Sequence, residues 1–168
     1  EHLAEKILKK KRKVQVLFPC LNKDKKRRFP DGAVYVKILN ASKLKNKKVV
    51  ILHSGAPEPN GGLVELELIL QILKDYRIEP EVFFSYFSYS MQDKVFGQGE
   101  TNVAENLIEK LINYYKVKKI YIIDPHFGGK KWAEKYPIIN ISAVPLLIKR
   151  ARKDFGEDIL FLAPDVGE

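Results

Sequence analysis

Two periods of hydrophobic and polar positions alternate along this chain, and the switches between them mark out its elements. Residues 2–11 place Leu3, Ile7 and Leu8 on one face, which predicts a short amphipathic helix. Val14 to Phe18 is an apolar run ending at Pro19. In Val34 to Ile38, Tyr35 and Lys37 point opposite to the Val and Ile side chains, and both runs predict strands. Val49 to Leu52 predicts another strand, running into His53-Ser54-Gly55, and the Pro, Asn and Gly of Ala56 to Gly62 predict a loop. From Leu63 to Tyr76 the period becomes helical, with Leu63, Leu66, Leu70 and Leu73 in one stripe that Ile69 and Ile72 widen. Glu81 to Phe87 reads as an aromatic strand and Tyr89 to Glu100 as a polar loop. Asn102 to Tyr114 reads as a helix with Val103, Leu107, Leu111 and Tyr114 inward. Lys119 to Ile123 is a strand ending in Asp124, Lys130 to Tyr136 a loop or short helix, and Ile138 to Ile141 a short strand. Ala143 to Lys153 is a helix, and Ile159 to Leu162 a last strand ending in Ala163-Pro164-Asp165.

Strands alternating with helices predict βαβ units with right-handed crossovers. The fold class expected is α/β, with a mostly parallel sheet and helices on both faces. At 168 residues the chain suits one domain with a proper core. Its 45% hydrophobic and 30% charged residues exclude a disordered tail, a collagen-like rod and a disulfide scaffold. The single cysteine, Cys20, permits no internal disulfide, so a reducing, cytoplasmic setting is expected. No apolar run reaches the ~18 residues of a membrane span, and the charged N-terminus does not read as a signal peptide.

The net charge of +9 is local. Residues 1–13, 23–28 and 43–48 each carry net +4, so the rest of the chain is slightly acidic. Such patches suit an anionic partner or a solvated lysine-rich surface; beside the motif at residues 28–32 the anionic partner is favoured. No nucleic-acid-binding motif accompanies them, and nucleic acid is a disfavoured partner.

In open α/β sheets, ligands bind beyond the carboxyl ends of the strands. Three predicted strands end in polar groups: His53-Ser54-Gly55, Asp124-Pro125-His126 and Pro164-Asp165-Val166-Gly167. If the strands are parallel, Asp124, His126 and Asp165 share one edge. Two carboxylates and an imidazole suit a divalent cation; retained water suits Mg2+, with His126 as an outer-sphere contact. An Asp after a strand equally serves as a helix N-cap. The loop Tyr89 to Lys94 offers Gln92, whose amide can read an adenine edge, and the charges of Asp93 and Lys94. Neither a G-x-x-x-x-G-K-[ST] nor a G-x-G-x-x-G loop occurs, and no nucleophile motif is found.

Five segments, in order, resemble those of ribose-phosphate pyrophosphokinases (PRPP synthetases). Arg28-Phe29-Pro30-Asp31-Gly32 with Tyr35-Val36-Lys37-Ile38 resembles R-F-[PS]-D-G-E…V-x-I. Ser54-Gly55…Asn60…Leu63-Val64-Glu65-Leu66 resembles S-x…N-D-x-L-M-E-L. Tyr86 to Lys94 resembles Y-F-x-Y-A-R-Q-D-[KR], Asp124-Pro125-His126 resembles D-x-H, and Ala163 to Gly167 resembles S-P-D-x-G. The resemblance implies a phosphoribosyltransferase-like α/β fold and transfer of the β,γ-diphosphoryl group of ATP to the 1-hydroxyl of ribose 5-phosphate, with Mg2+ as cofactor. It implies ATP-binding residues at Phe29, Asp31, Gly32, Ala33, Met91, Gln92, Asp93 and Lys94, and metal-associated residues at His126, Asp165 and Asp124. It also implies a homo-oligomer in which the 29–33 loop reaches a neighbouring subunit's ATP site.

On this reading residues 1–27 are a basic N-terminal extension with a short helix and the first strand. Residues 28–168 are the family's N-terminal α/β domain. The second family domain, with the cationic catalytic loop and the D-D-x-x-x-T-G loop for ribose 5-phosphate, lies beyond Glu168, so the chain alone is expected to be inactive. Ala33 stands where the family has Glu, Met91 where it has Arg, and Phe127 to Trp132 replaces a Gln-containing stretch. These departures imply the alternative of a non-catalytic associated or regulatory subunit.

Overall fold

The computed structural model describes residues 2–10 and 13–162, apart from the side chains of residues 2–4 and 8. Helix α1 spans His2–Lys10. Strand β1 (Val50–Ser54) leads into α2 (Pro59–Asp75), β2 (Glu81–Tyr86) and α3 (Val103–Glu109). Then come β3 (Lys119–Ile123), β4 (Ile138–Ile141) and α4 (Val144–Phe155). The four strands form one parallel sheet in the order β1-β2-β3-β4, with Val82 opposite both Ile51 and Ile120, and Ile120 opposite Ile138. The expected α/β chain with a parallel sheet is therefore what forms.

The core lies on one face. Val82 and Phe84 of β2, with Ile120 and Ile122 of β3, pack against Leu66 and Leu70 of α2 and Ala104 and Ile108 of α3. Each strand pairs with the next in sequence, so right-handed crossovers step in one direction and lay their helices on the same side. The opposite face carries Val50, Leu52, Ile139 and Ile141, all about 40% exposed. Covering is thus one-sided among the described residues, where the apolar runs predict helices on both faces.

Three predicted strands do not form. Val14–Phe18 and Val34–Ile38 make only fragments of a ladder: one antiparallel bridge between Arg28 and Val34, and a hydrogen bond from Cys20 N–H to the Lys37 carbonyl, 2.8 Å. Val14, Leu17 and Phe18 stay nearly half exposed, and Pro19 has no N–H to donate, so neither burial nor pairing fixes a strand. In Ile159–Leu162, Leu160 and Leu162 are over 80% exposed and no ladder partner meets them among the described residues. Apolar β-branched runs need a facing edge before their propensity counts.

Helix α2 begins at Pro59, four residues before its leucine stripe, turning part of the predicted loop into its first turn. Proline suits this position because its missing N–H has no helical partner to lose. Beyond α3, residues Lys110–Tyr114 widen into a π turn, with Tyr115 N–H reaching the Lys110 carbonyl at 3.2 Å. The extra residue rotates the end of the helix. Tyr115 becomes buried, where the helical period puts Tyr114, and Tyr114 is 49% exposed under the Lys74 ammonium. Ala104 and Ile108 are buried where Val103 and Leu107 were expected. Burial and the nearby Glu67 carboxylate push the Tyr115 phenol up to about 12.

Just after β1, buried Gly55 abuts the chain leaving β2. An added Cβ would lie 2.9 Å from Ser88 Cβ and 3.0 Å from Ser88 N. Gly55→Ala is therefore expected to cost ~1–3 kcal/mol of stability in urea unfolding. Adding Ser88→Gly should recover part of that loss; no recovery would mean that Ser88 is not the obstacle.

Candidate functional site

Two loops leave the carboxyl edge of the sheet side by side: residues 87–102 after β2 and 124–132 after β3. An aromatic series runs beneath them. His53 meets the Phe84 ring edge-on at 5.6 Å, Phe84 meets Phe87 at 5.0 Å and Phe87 meets Phe127 at 5.6 Å. Phe127 then meets Trp132 at 4.9 Å. Such contacts add to area burial and fix ring orientation, so the loops above them rest on a rigid floor. Burial pulls the His53 imidazole down to about 4, and it is neutral at neutral pH.

Asp93 ties the loops together. Its side chain is 1% exposed, with Oδ2 lying 3.3 Å from His126 Nδ1 and 3.6 Å from Lys130 Nζ. Its backbone carbonyl accepts a hydrogen bond from Trp132 Nε1, 3.1 Å. The Gln92 carbonyl accepts from Ala104 N–H at 3.0 Å, anchoring the same turn to the start of α3. Around this anchor Met91, Gln92 and Lys94 are exposed, with Met91 at 61%. The structure thus turns three of the four expected ATP-binding residues of this loop to solvent. It turns the fourth, Asp93, into the protein toward His126. Glu100 closes the loop by accepting the Phe96 and Gly97 N–H groups, each 2.9 Å.

The remaining expected nucleotide contacts, Phe29, Asp31, Gly32 and Ala33, form a separate exposed turn. Phe29 N–H donates to the Ala33 carbonyl at 2.8 Å, and Asp31 Oδ1 accepts from Ala33 N–H at 3.0 Å. Gly32 sits at φ +89°, which suits glycine alone. Arg28 holds the turn against the first turn of α2 by pairing with Glu58, and its Nη1 would lie 3.1 Å from a Cβ at Gly61. Glycine at 61 is what lets the guanidinium lie flat on the helix start. Tyr89 OH donates to Asn60 Oδ1, so the start of α2 meets the 87–102 loop through Asn60 and the 28–34 segment through Glu58.

Of the expected metal residues, His126 stands beside Asp93 at the sheet edge. Asp124, at φ 38°, accepts from Ala143 N–H at 2.9 Å and so caps the entry to α4. Asp165, with the rest of the 163–167 motif, lies outside the described residues. Among the described residues no three His, Cys, Asp or Glu side chains converge to hold a metal ion. With Asp93 and Asp124 engaged internally, there is no closed cage. A Mg2+ ion carried on nucleotide phosphates needs few protein ligands and keeps most of its waters. Four residues of this site were not singled out from the sequence: Phe87, Phe127, Lys130 and Trp132. The aromatic density of 83–87 and Trp132, the chain's one tryptophan, were the available signals.

The profile of the N-terminal domain of ribose phosphate pyrophosphokinase matches residues 1–115. The chain belongs to the ribose-phosphate pyrophosphokinase family. The ribose-phosphate pyrophosphokinase of Burkholderia pseudomallei is 29% identical over 157 residues, covering 92% of this chain and 48% of the relative. That of Thermococcus kodakarensis is 30% identical over 149 residues, covering 84% and 48%. The crystal structure of phosphoribosylpyrophosphate synthetase from Mycobacterium smegmatis superposes with a TM-score of 0.75 at 20% identity. It covers 92% of this chain and 49% of that one, which shows a shared phosphoribosyltransferase-like fold. The chain spans about half the length of the curated pyrophosphokinases it matches. No helix among the described residues is long and apolar enough to cross a membrane.

Proposed function

We propose that this chain supplies the nucleotide side of a ribose-phosphate diphosphokinase. In that reaction the 1-hydroxyl oxygen of ribose 5-phosphate attacks the β-phosphorus of ATP. The bond from that phosphorus to the α–β bridging oxygen breaks, AMP leaves with the oxygen, and the hydroxyl proton passes to solvent. Such transfer is mostly positioning and charge stabilisation. The observation that carries the reading is the joining of two family motifs, Asp93 of the Q-D-K turn and His126 of D-P-H, at one strand edge.

Above the aromatic floor, Gln92 reads the base and Lys94 attracts the phosphates. His126 and Asp165 would hold Mg2+, which screens the triphosphate charge when bound. The 29–33 turn, half-exposed at Phe29, reaches a neighbouring subunit's nucleotide, so the working unit is a homo-oligomer. The chain spans about half the length of its relatives, and we assign the ribose 5-phosphate side to the part of such an enzyme that these residues do not match.

Calorimetric titration of the chain with ATP, with and without Mg2+, tests this. Binding should require Mg2+ and weaken tenfold or more in His126→Ala, the loss of one charge-assisted contact of about 1.4 kcal/mol or more. Absence of binding at millimolar ATP would overturn the reading. Met91 and Ala33 favour a second one, a non-catalytic associated subunit, because both replace charged family residues and Met91 stands exposed. An equimolar assembly with an active pyrophosphokinase, without nucleotide binding of its own, would select it.

A further inference from the structure

We propose that Arg28 and Tyr89 are positioning residues that seat the 29–33 turn and the 87–94 loop on one block, the first turn of α2, so that the two sets of nucleotide contacts move together. This deepens the nucleotide reading and rests on it for its functional meaning. In that reading the turn serves a neighbouring subunit's nucleotide and the loop serves this subunit's own, so the block links two sites.

Arg28 holds the block and the turn with one guanidinium. It pairs with Glu58, the residue just before α2, and its Nη1 donates to the Gly32 carbonyl at the tip of the turn, 3.2 Å. From the residue before it, Arg27 Nη1 lies 3.4 Å from Glu65 Oε1, farther along the same helix. Exposed ion pairs add little stability, so what these two contribute is direction: adjacent residues tied to one helix at two points fix how the turn projects.

The loop meets the same block through Tyr89, whose OH donates to Asn60 Oδ1. Tyr89 sits at φ 63°, in the left-handed region that a bulky side chain rarely adopts. Such a conformation persists only where the surroundings over-determine it. Here the chain is held on both sides of the reversal. The Tyr86 carbonyl accepts from Gly55 N–H at 3.0 Å, and Gln92 N–H donates to the Tyr89 carbonyl at 3.0 Å. The block itself rests on the sheet, because a Cβ at Gly62 would lie 3.5 Å from the Ser54 carbonyl oxygen at the end of β1. A reversal at residue 89 sets the course of residues 90–94, and the bond to Asn60 refers that course to the helix that also carries the 29–33 turn.

Solvent exchange of single amides, read by NMR in the nucleotide-free chain, tests the proposal. Tyr89→Phe removes one hydroxyl. It should speed exchange at Gln92 in the loop and also at Gly32 and Ala33 in the other turn, each by about threefold or more, the change that one hydrogen bond's net contribution corresponds to. Amides of β3 should keep their wild-type rates. Arg28→Ala should act in the other direction, speeding Gln92 as well as Gly32. Asn60→Ala should match Tyr89→Phe, and Asn60→Asp, which keeps an acceptor for the hydroxyl, should restore wild-type exchange. Turn amides unchanged in folded Tyr89→Phe and Asn60→Ala would overturn the proposal. So would equal speeding of the β3 amides, the mark of general destabilisation, or a failure of Asn60→Asp to restore the rates. MgATP titration of the same proteins separates this proposal from the reading it rests on. Linked exchange in a chain that binds no MgATP sustains the shared block and refutes the nucleotide reading. MgATP binding with unlinked exchange does the reverse.

Discussion

Truncating Phe127 to alanine is expected to cost about 3–5 kcal/mol of stability, the range for a fully buried phenylalanine whose site cannot collapse. The ring is 1% exposed and wedged between Phe87 at 5.6 Å and Trp132 at 4.9 Å. Both neighbours are held elsewhere, Phe87 by Phe84 and Trp132 by its bond to the Asp93 carbonyl, so neither can move in to fill the gap. Urea unfolding measures the loss. The chain's one tryptophan is the probe, and its emission should shift to the red as the indole loses its neighbour. A cost below ~1 kcal/mol would show that the floor under the two loops is not close-packed.

Acidification should destabilise the chain through His53. Burial lowers this imidazole to about 4 from an ordinary 6.5. Between those values the unfolded chain takes up a proton that the folded chain refuses, so stability falls as the pH drops from 6.5 toward 4 and is complete above 6.5. The expected contribution is about 2 kcal/mol at pH 4.5, discounted for the ring's partial exposure. Carboxylates titrate in the same range, so the measure is the difference between wild type and His53→Phe in urea unfolding at pH 7.5 and 4.5. The phenylalanine variant keeps the edge contact with Phe84 and should show the smaller drop. Equal drops would mean that His53 protonates without opening the fold.

The sequence was legible where one face is buried by short-range pattern. Strands Lys119–Ile123 and Ile138–Ile141 fall where their apolar runs begin and end. Leu66, Leu70 and Leu73 of α2 are buried as their spacing demands. Legibility failed where the outcome depends on a distant partner. In Pro59-Asn60-Gly61-Gly62 the proline suits a helix start, but two glycines and an asparagine outweigh it in the local pattern. Nothing in Lys110–Tyr114 announces the extra residue that swaps Tyr114 for Tyr115. In the candidate site the members of the Tyr86 to Lys94 segment divide. Met91, Gln92 and Lys94 face water while Asp93 turns inward, a choice made by His126 and Trp132 more than thirty residues on.

The simple strand order has a consequence for how the molecule comes into being. Each strand finds its partner in the strand made immediately before it, and each connecting helix packs on the same side as the last. Among the described strands, none must wait for a later one to be inserted between it and a neighbour. Loop closure is therefore modest at every step, and the sheet can be laid down in one direction while the chain is still being synthesised. The two loops that Asp93 and His126 join come together once β3 has docked on β2, before β4 completes the sheet.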